Sequence, residues 1–201
     1  MSINAYRKNS SNFRIGAIVL AGGKSSRMGK DKASLVIDKL PLVYRLQEML
    51  TSLGLSVVIS SKRFGLTDII PDKGPLGGCY TAMTALRHCH HVIVIPVDMV
   101  HLNKDILVRL LQEITNKNLA TITKCNDQHF PLIIKNTESV MSWLLQTLLT
   151  KEGRACSIGA LLQRFDTHSI SIEDCASYRF DNVNTPSQWC QALGIIEQGL
   201  R

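Results

Sequence analysis

At 201 residues and 45% hydrophobic, the chain is long enough to bury one good core, and a single domain is the default. Charged residues make up 19% with no low-complexity tract, which excludes extensive disorder away from the ends. The net charge of +7 asks for an anionic partner, and with few aromatics set among the basic residues a small polyphosphate suits it better than nucleic acid.

In chain order, residues 1–13 are polar and lack the apolar segment of a secretory signal, so they read as a frayed extension ahead of a domain at 14–201. Ile15 to Leu20 is an apolar run that reads as a buried first strand. It feeds a turn, Ala21-Gly22-Gly23-Lys24-Ser25-Ser26-Arg27-Met28-Gly29-Lys30-Asp31-Lys32. Two adjacent glycines let the backbone bend sharply and come close to a ligand. Successive N–H groups in such a bend can cradle an anion, and Lys24, Arg27, Lys30 and Lys32 bring positive charge to the same place. It is not a Walker A loop, because Ile18 stands where that loop needs its first glycine. It is not the G-x-G-x-x-G dinucleotide fingerprint either, since Lys24 follows Gly22-Gly23.

Beyond the turn, Asp38-Lys39-Leu40 is a second turn and Pro41 opens a helix through Leu53, with Gly54 as its C′ residue. Leu55 to Ser60 is the second strand, and Asp68 to Pro71 is expected to return to the sheet edge. Asp72-Lys73-Gly74-Pro75-Leu76-Gly77-Gly78 reads as a second Gly/Pro-rich loop before a helix at 79–87. Val92 to Pro96 is a third strand that ends on Val97-Asp98. Asn103 caps a helix reaching Asn118, with strands at 119–123 and 130–135 after it. Helices follow at 138–150 and 157–165, then a strand at 168–172, a loop at 178–185 and a last helix from Pro186.

This alternation predicts an α/β fold, a three-layer Rossmann-like domain whose mostly parallel sheet carries helices on both faces. Ligands of such sheets lie outside the carboxyl ends of the strands, where both Gly-rich stretches and Asp98 fall. Asp98 at a strand tip facing a phosphate loop suits magnesium, which takes few carboxylates and completes its shell with water and phosphate. The competing reading is that Asp98 caps the turn into residues 99–103. The six cysteines are scattered without a C-x-x-C pair and read as reduced cytosolic thiols. His88, His90 and His91 around Cys89 read as a helix end running into a strand, in preference to a metal site. No apolar run is long enough to span a bilayer, so a cytoplasmic protein without membrane contact is expected.

The stretch Leu20 to Lys32 resembles, without a gap, the L-A-G-G-x-S-x-R-M-G-x-D-K signature of the molybdenum cofactor guanylyltransferases (the MobA family), within the nucleotidyltransferase superfamily. Looser similarity extends to the final helix, with further matches at residues 72–78, 96–98 and 182–186. The resemblance implies transfer of GMP from GTP to the phosphate of molybdopterin cofactor, releasing pyrophosphate. It implies Mg2+ on Asp98, with Arg27 and Lys32 neutralising the triphosphate. Leu20, Ala21, Gly22, Gly23, Lys32, Ser60, Asp72 and Asp98 would contact the nucleotide, although Ser60 replaces an Asn common in relatives.

Asn182 and Asn184, two apart on an extended chain, can offer their amides to one ligand, which the resemblance makes the pterin. Arg154 would meet the acceptor phosphate. Val97 and Val100 stand where relatives have Cys and Pro, which bears on packing and not on coordination. Lys39 replaces a usual glycine and suggests a different turn. Contact with other cofactor-biosynthesis proteins or recipient molybdoenzymes is also implied. The alternatives are a cytidylyltransferase on the same pterin, a sugar-1-phosphate nucleotidyltransferase, and a non-catalytic nucleotide-binding scaffold in cofactor delivery.

Overall fold

A computed structural model describes residues 14–23, 28–29, 31–113, 120–125, 128–172 and 177–197. The first strand, β1 (Ile15–Leu20), forms where the apolar run predicts it. It lies between β4 (Ser56–Ser60) and β5 (His91–Pro96) and is parallel to both. Beyond β5 come β7 (Leu132–Lys135), β6 (Ile122–Cys125) and β8 (Thr167–Ile170), giving the order β4-β1-β5-β7-β6-β8. β7 runs antiparallel to both β5 and β6, and β6 pairs in parallel with β8. The sheet is therefore mostly parallel, as expected, with one reversed strand.

The strands alternate their side chains between two cores, as the period of two requires. Ala17, Val19, Ile93, Ile95 and Ile133 face the side covered by α1 (Leu42–Ser52), α3 (Lys104–Glu113) and α6 (Pro186–Glu197). Ile18, Val92, Val94, Leu132 and Ile134 face α2 (Gly74–Ala85), α4 (Glu138–Thr150) and α5 (Ile158–Arg164). Continuous burial along β1 and β5 follows from this double cover and explains why those strands read as unbroken apolar runs. Asn103 caps α3, its Oδ1 accepting from Ile106 N at 3.1 Å. The expected extension of that helix to Asn118 lies outside the described residues, as do residues 1–13. Among the described residues no helix is long and apolar enough to cross a membrane.

Four local expectations change. Residues 74–78 are not a loop: they are the first turn and a half of α2, with Pro75 at a position where its missing N–H costs nothing. Residues 68–71 do not rejoin the sheet. After a lone bridge between Ser60 and Leu66, the chain leans on α2 instead, with Ile69 N donating to Thr81 Oγ1 at 2.9 Å. β6 starts at Ile122, three residues later than the pattern suggested. Finally, β2 (Val36–Ile37) and β3 (Leu40–Pro41) form a small hairpin whose corner residues Asp38 and Lys39 have φ of 52° and 66°. Lys39 thus keeps the left-handed backbone that a glycine would adopt there.

Candidate active site

Three strand ends are stitched together at the carboxyl edge of the sheet. Ala21 N donates to Ser60 O at 3.0 Å, and Val97 N donates to Leu20 O at 3.0 Å. The glycine-rich turn therefore leaves the sheet between the tips of β4 and β5. Leu20 and Ala21 spend their side chains on packing: Ala21 is buried, and Leu20 lies under α2. The exposed backbone offered to a ligand comes from Gly22 and Gly23, and Gly23, at φ 130°, holds a conformation that side chains resist. Lys24, Arg27 and Lys30 lie outside the described residues.

Asp31 brings Lys32 into place. Its Oδ1 accepts from Ala33 N at 3.0 Å and its carbonyl accepts from Ser34 Oγ at 2.7 Å, capping a single helical turn at Lys32–Ser34. From that turn Lys32 Nζ reaches Asp98 Oδ2 at 2.8 Å and also donates to Asn184 Oδ1. Both charged side chains are largely buried, at 16% exposure each. The Asp98 carbonyl accepts from Val183 N at 3.0 Å, which ties the C-terminal segment to the tip of β5. Residues 66 and 152 positions apart thus converge on one amine.

Asp98 Oδ1 is buried with no hydrogen-bond partner among the described residues. A buried carboxylate oxygen left in that state is costly unless something supplies positive charge. No cluster of three or more His, Cys, Asp or Glu surrounds it among the described residues. That donor set fits a magnesium-like ion, which needs one or two carboxylates and keeps water and phosphate for the rest, better than a zinc-like ion.

Asn182 and Asn184 have different surroundings. Asn184 turns its oxygen to Lys32 and its amide nitrogen to Asn182 O at 3.3 Å, while the Asn182 side chain is exposed. Ser60 is buried and donates to Asp68 Oδ1 at 2.9 Å, so its hydroxyl is engaged with another part of the wall. Gly78 permits that closeness, because a Cβ there would stand 2.5 Å from Ser60 Oγ and 2.9 Å from Leu20 Cδ2.

Asp68 is the residue that sequence reasoning passed over. Burial pushes its carboxyl pKa up, partly offset by the Ser60 hydrogen bond. Its location depends on the chain doubling back from β4 onto α2, which no local pattern announces. Gln188, hydrogen-bonded to the Asn184 backbone, was also passed over, although Thr185-Pro186-Ser187-Gln188 carries a readable capping pattern.

Asp72 and Arg154 share a separate open cleft of about 780 Å3, lined also by Lys73, Glu152, Gly153 and Ser157 at the start of α2. Both are exposed, and Asp72 has φ 60°. The histidine cluster lies at the opposite end of the sheet, where β5 begins. Burial, assisted by Lys135 and His90, lowers the His91 pKa to about 4.

A family model described as the MobA-like NTP transferase domain matches residues 17–165. A molybdenum cofactor guanylyltransferase of Xanthomonas euvesicatoria is 33% identical over 180 residues, covering 88% of this chain and 93% of that one. One from Rhizobium leguminosarum is 27% identical, covering 91% and 93%. The crystal structure of molybdopterin-guanine dinucleotide biosynthesis protein A from Archaeoglobus fulgidus superposes with a TM-score of 0.66 at 20% identity, covering 91% of this chain and 99% of that one. A CMP:2-keto-3-deoxy-manno-octonic acid synthetase complexed with CTP superposes at 0.72 and 12%, covering 92% and 99%. At those identities the two structures speak for the fold alone. The length of the family match, together with a third of the residues shared across most of the Xanthomonas enzyme, makes this chain a nucleotidyltransferase of the MobA-like NTP transferase family.

Proposed function

We propose that the chain transfers GMP from GTP to the phosphate of the molybdopterin cofactor, giving the guanine dinucleotide form and pyrophosphate, with Mg2+ as the divalent ion. The observation that carries the proposal is the unpartnered, buried Asp98 Oδ1 beside the Lys32 amine, at the mouth of the Leu20-Ala21-Gly22-Gly23 turn. The names of the guanylyltransferase relatives support the choice of donor and acceptor.

The reaction is a direct displacement. An oxygen of the acceptor phosphate forms a bond to the α-phosphorus of GTP as the bond to the bridging α–β oxygen breaks, and pyrophosphate leaves with that electron pair. Asp98 Oδ1 would hold the ion, and a bound Mg2+ supplies positive charge to the phosphate oxygens at the reacting centre. Lys32 trades part of its contact with Asp98 and Asn184 for the triphosphate, which it orients and neutralises. The Gly22 and Gly23 backbone follows the phosphates closely, and Arg27 adds charge from the same turn. Because Lys32 and Asp98 are already aimed, catalysis rests on positioning and fixed electrostatics and needs no nucleophilic side chain.

Asp68, held by Ser60 at the wall beside the turn, is an acceptor suited to the N–H edge of guanine, and Asp72 and Arg154, which line one open cleft, would meet the outer parts of the ligands. Asn182 and Asn184 border the pterin side. The catalytic domain is assigned to residues 14–201, with residues 1–13 ahead of it in the sequence. A screen of the four nucleoside triphosphates with Mg2+ and molybdopterin tests the proposal. Pyrophosphate release with GTP well above the others is expected, and preference for CTP would replace the guanylyl reading with a cytidylyl one.

A further inference from the structure

The start of α6 carries one hydrogen bond more than helix capping requires. In the Thr185-x-x-Gln188 box, Gln188 N donates to Thr185 Oγ1 at 3.2 Å and Gln188 Oε1 accepts from Thr185 N at 3.1 Å. The same Oε1 also accepts from Asn184 N, at a shorter 2.8 Å. That bond fixes the backbone of the very residue whose side-chain oxygen receives the Lys32 ammonium. Val183 N on Asp98 O pins the preceding residue to the tip of β5. Asn184 is therefore clamped on one side by the sheet and on the other by α6.

We propose that Gln188 is a positioning residue for the transfer reaction: by clamping the Asn184 backbone it sets the direction from which Asn184 holds the Lys32 amine toward the donor triphosphate. The proposal deepens the guanylyltransferase reading and rests on it. Lysine is a point charge on a flexible four-carbon stem, so its aim depends on its acceptors. Held by Asp98 Oδ2 alone, the ammonium could swing about that single contact. With Asn184 fixed as a second acceptor, its place is defined from two sides. Misplacing a reacting group by about 1 Å can cost about a hundredfold in rate, and loosening one of two acceptors costs part of that.

The test compares Gln188→Ala with Gln188→Glu, which keeps an acceptor oxygen and adds a charge that a helix N-terminus favours. Gln188→Ala is expected to lower kcat about tenfold at saturating GTP while the KM for GTP changes less than about twofold. Gln188→Glu is expected to stay within about twofold of the parent on both constants. In the free protein, the NMR signal of the Lys32 ammonium should weaken in Gln188→Ala and persist in Gln188→Glu. Parental kcat in Gln188→Ala, or equal losses in both variants, would overturn the proposal, because an acceptor oxygen would then not be what matters. Should the parent turn over no GTP, the donor reading fails, and the ammonium signal still decides the clamp: an unchanged signal in Gln188→Ala rejects it.

Discussion

The buried centre around Asp98 and the open cleft at the start of α2 are built on opposite plans. On one side Lys32, Asp98 and Asn184 come from three distant segments and are cross-bonded into a mostly buried knot. On the other, Asp72 and Arg154 stand exposed around an open cleft, where the nearest ion pair, Lys73 to Glu152, is 3.9 Å long with its glutamate 90% exposed. Groups that are aimed in advance and shielded from water stabilise developing charge without reorganising. Exposed ion pairs give up side-chain freedom for little gain and are screened by salt. On this contrast we propose that the chemistry runs at the knot and that the cleft holds the ligand ends.

The sharpest way to break that division is at the knot. Asp98→Ala removes the carboxylate that would hold the ion and strips Lys32 of its charged partner. Turnover should fall about a thousandfold or more, since a metal contributes several kcal/mol of transition-state stabilisation. GTP should still bind measurably by calorimetry, because the turn backbone and the remaining cations are untouched. Undiminished pyrophosphate release would move the chemistry away from the knot altogether.

The wall between the two sides comes next. In Gly78→Ala the new Cβ would meet Ser60 Oγ and Leu20 Cδ2 well inside contact distance, so those side chains, or the elements that carry them, must shift. Overpacking of this sort costs about 1–3 kcal/mol. In a chain of this length that is a fall in melting temperature of about 2–4 °C for each kcal/mol. Because Leu20 and Ser60 also carry the turn, the KM for GTP should rise in parallel. A melting temperature unchanged to within about a degree would mean that the wall is soft and does not set the spacing of the two sides.

How far the site could be read from sequence follows the same division. Leu20 to Gly23 and Asp98 were legible because each sits at the end of an apolar run, where local pattern fixes the position along the strand. Lys32 was legible as a positive charge on the turn, but its two acceptors were not, since they lie 66 and 152 residues away. The Gly77-Gly78 pair looked like loop chemistry because glycine marks turns. Here it marks a helix pressed onto strand tips, a packing demand that only the assembled fold creates. Alternation made Asn182 and Asn184 look equivalent, and the Gln188 clamp on one backbone nitrogen separates them. The reversal of β7 escaped notice because hydrophobic pattern does not record strand direction.

Asp68 sharpens the comparison through pH. Its folded-state pKa lies above the ordinary aspartate value, with burial as the main cause and the Ser60 bond opposing it. A group raised in this way favours folding while it is protonated, and that contribution is lost as pH rises through the folded pKa. Relative to the parent, Asp68→Asn should therefore gain stability above that pH and match it in acid, as read by urea unfolding from pH 3 to 8. A difference that stays constant across the range would mean that the carboxylate's charge is not what burial penalises. If Asp68 also reads the guanine edge, the same variant should narrow the preference for GTP over CTP by about tenfold.

The smallest effect belongs to the cleft. Arg154 is exposed, follows Gly153 at φ 56°, and lies on a short helical turn at Gly153–Cys156. Its side chain is exposed, so Arg154→Ala should leave the melting temperature and kcat unchanged. The KM for the pterin acceptor should rise about threefold at low salt, the scale of one exposed charge contact. Raising the ionic strength to about 0.5 M shortens the screening length below the reach of such a contact, and the variant and parent should then converge. Persistence of the difference in high salt would show that Arg154 closes onto the acceptor and is shielded from solvent when it does. In that case the cleft, open in the free protein, would be remade by its ligand into a second site of the knot's kind.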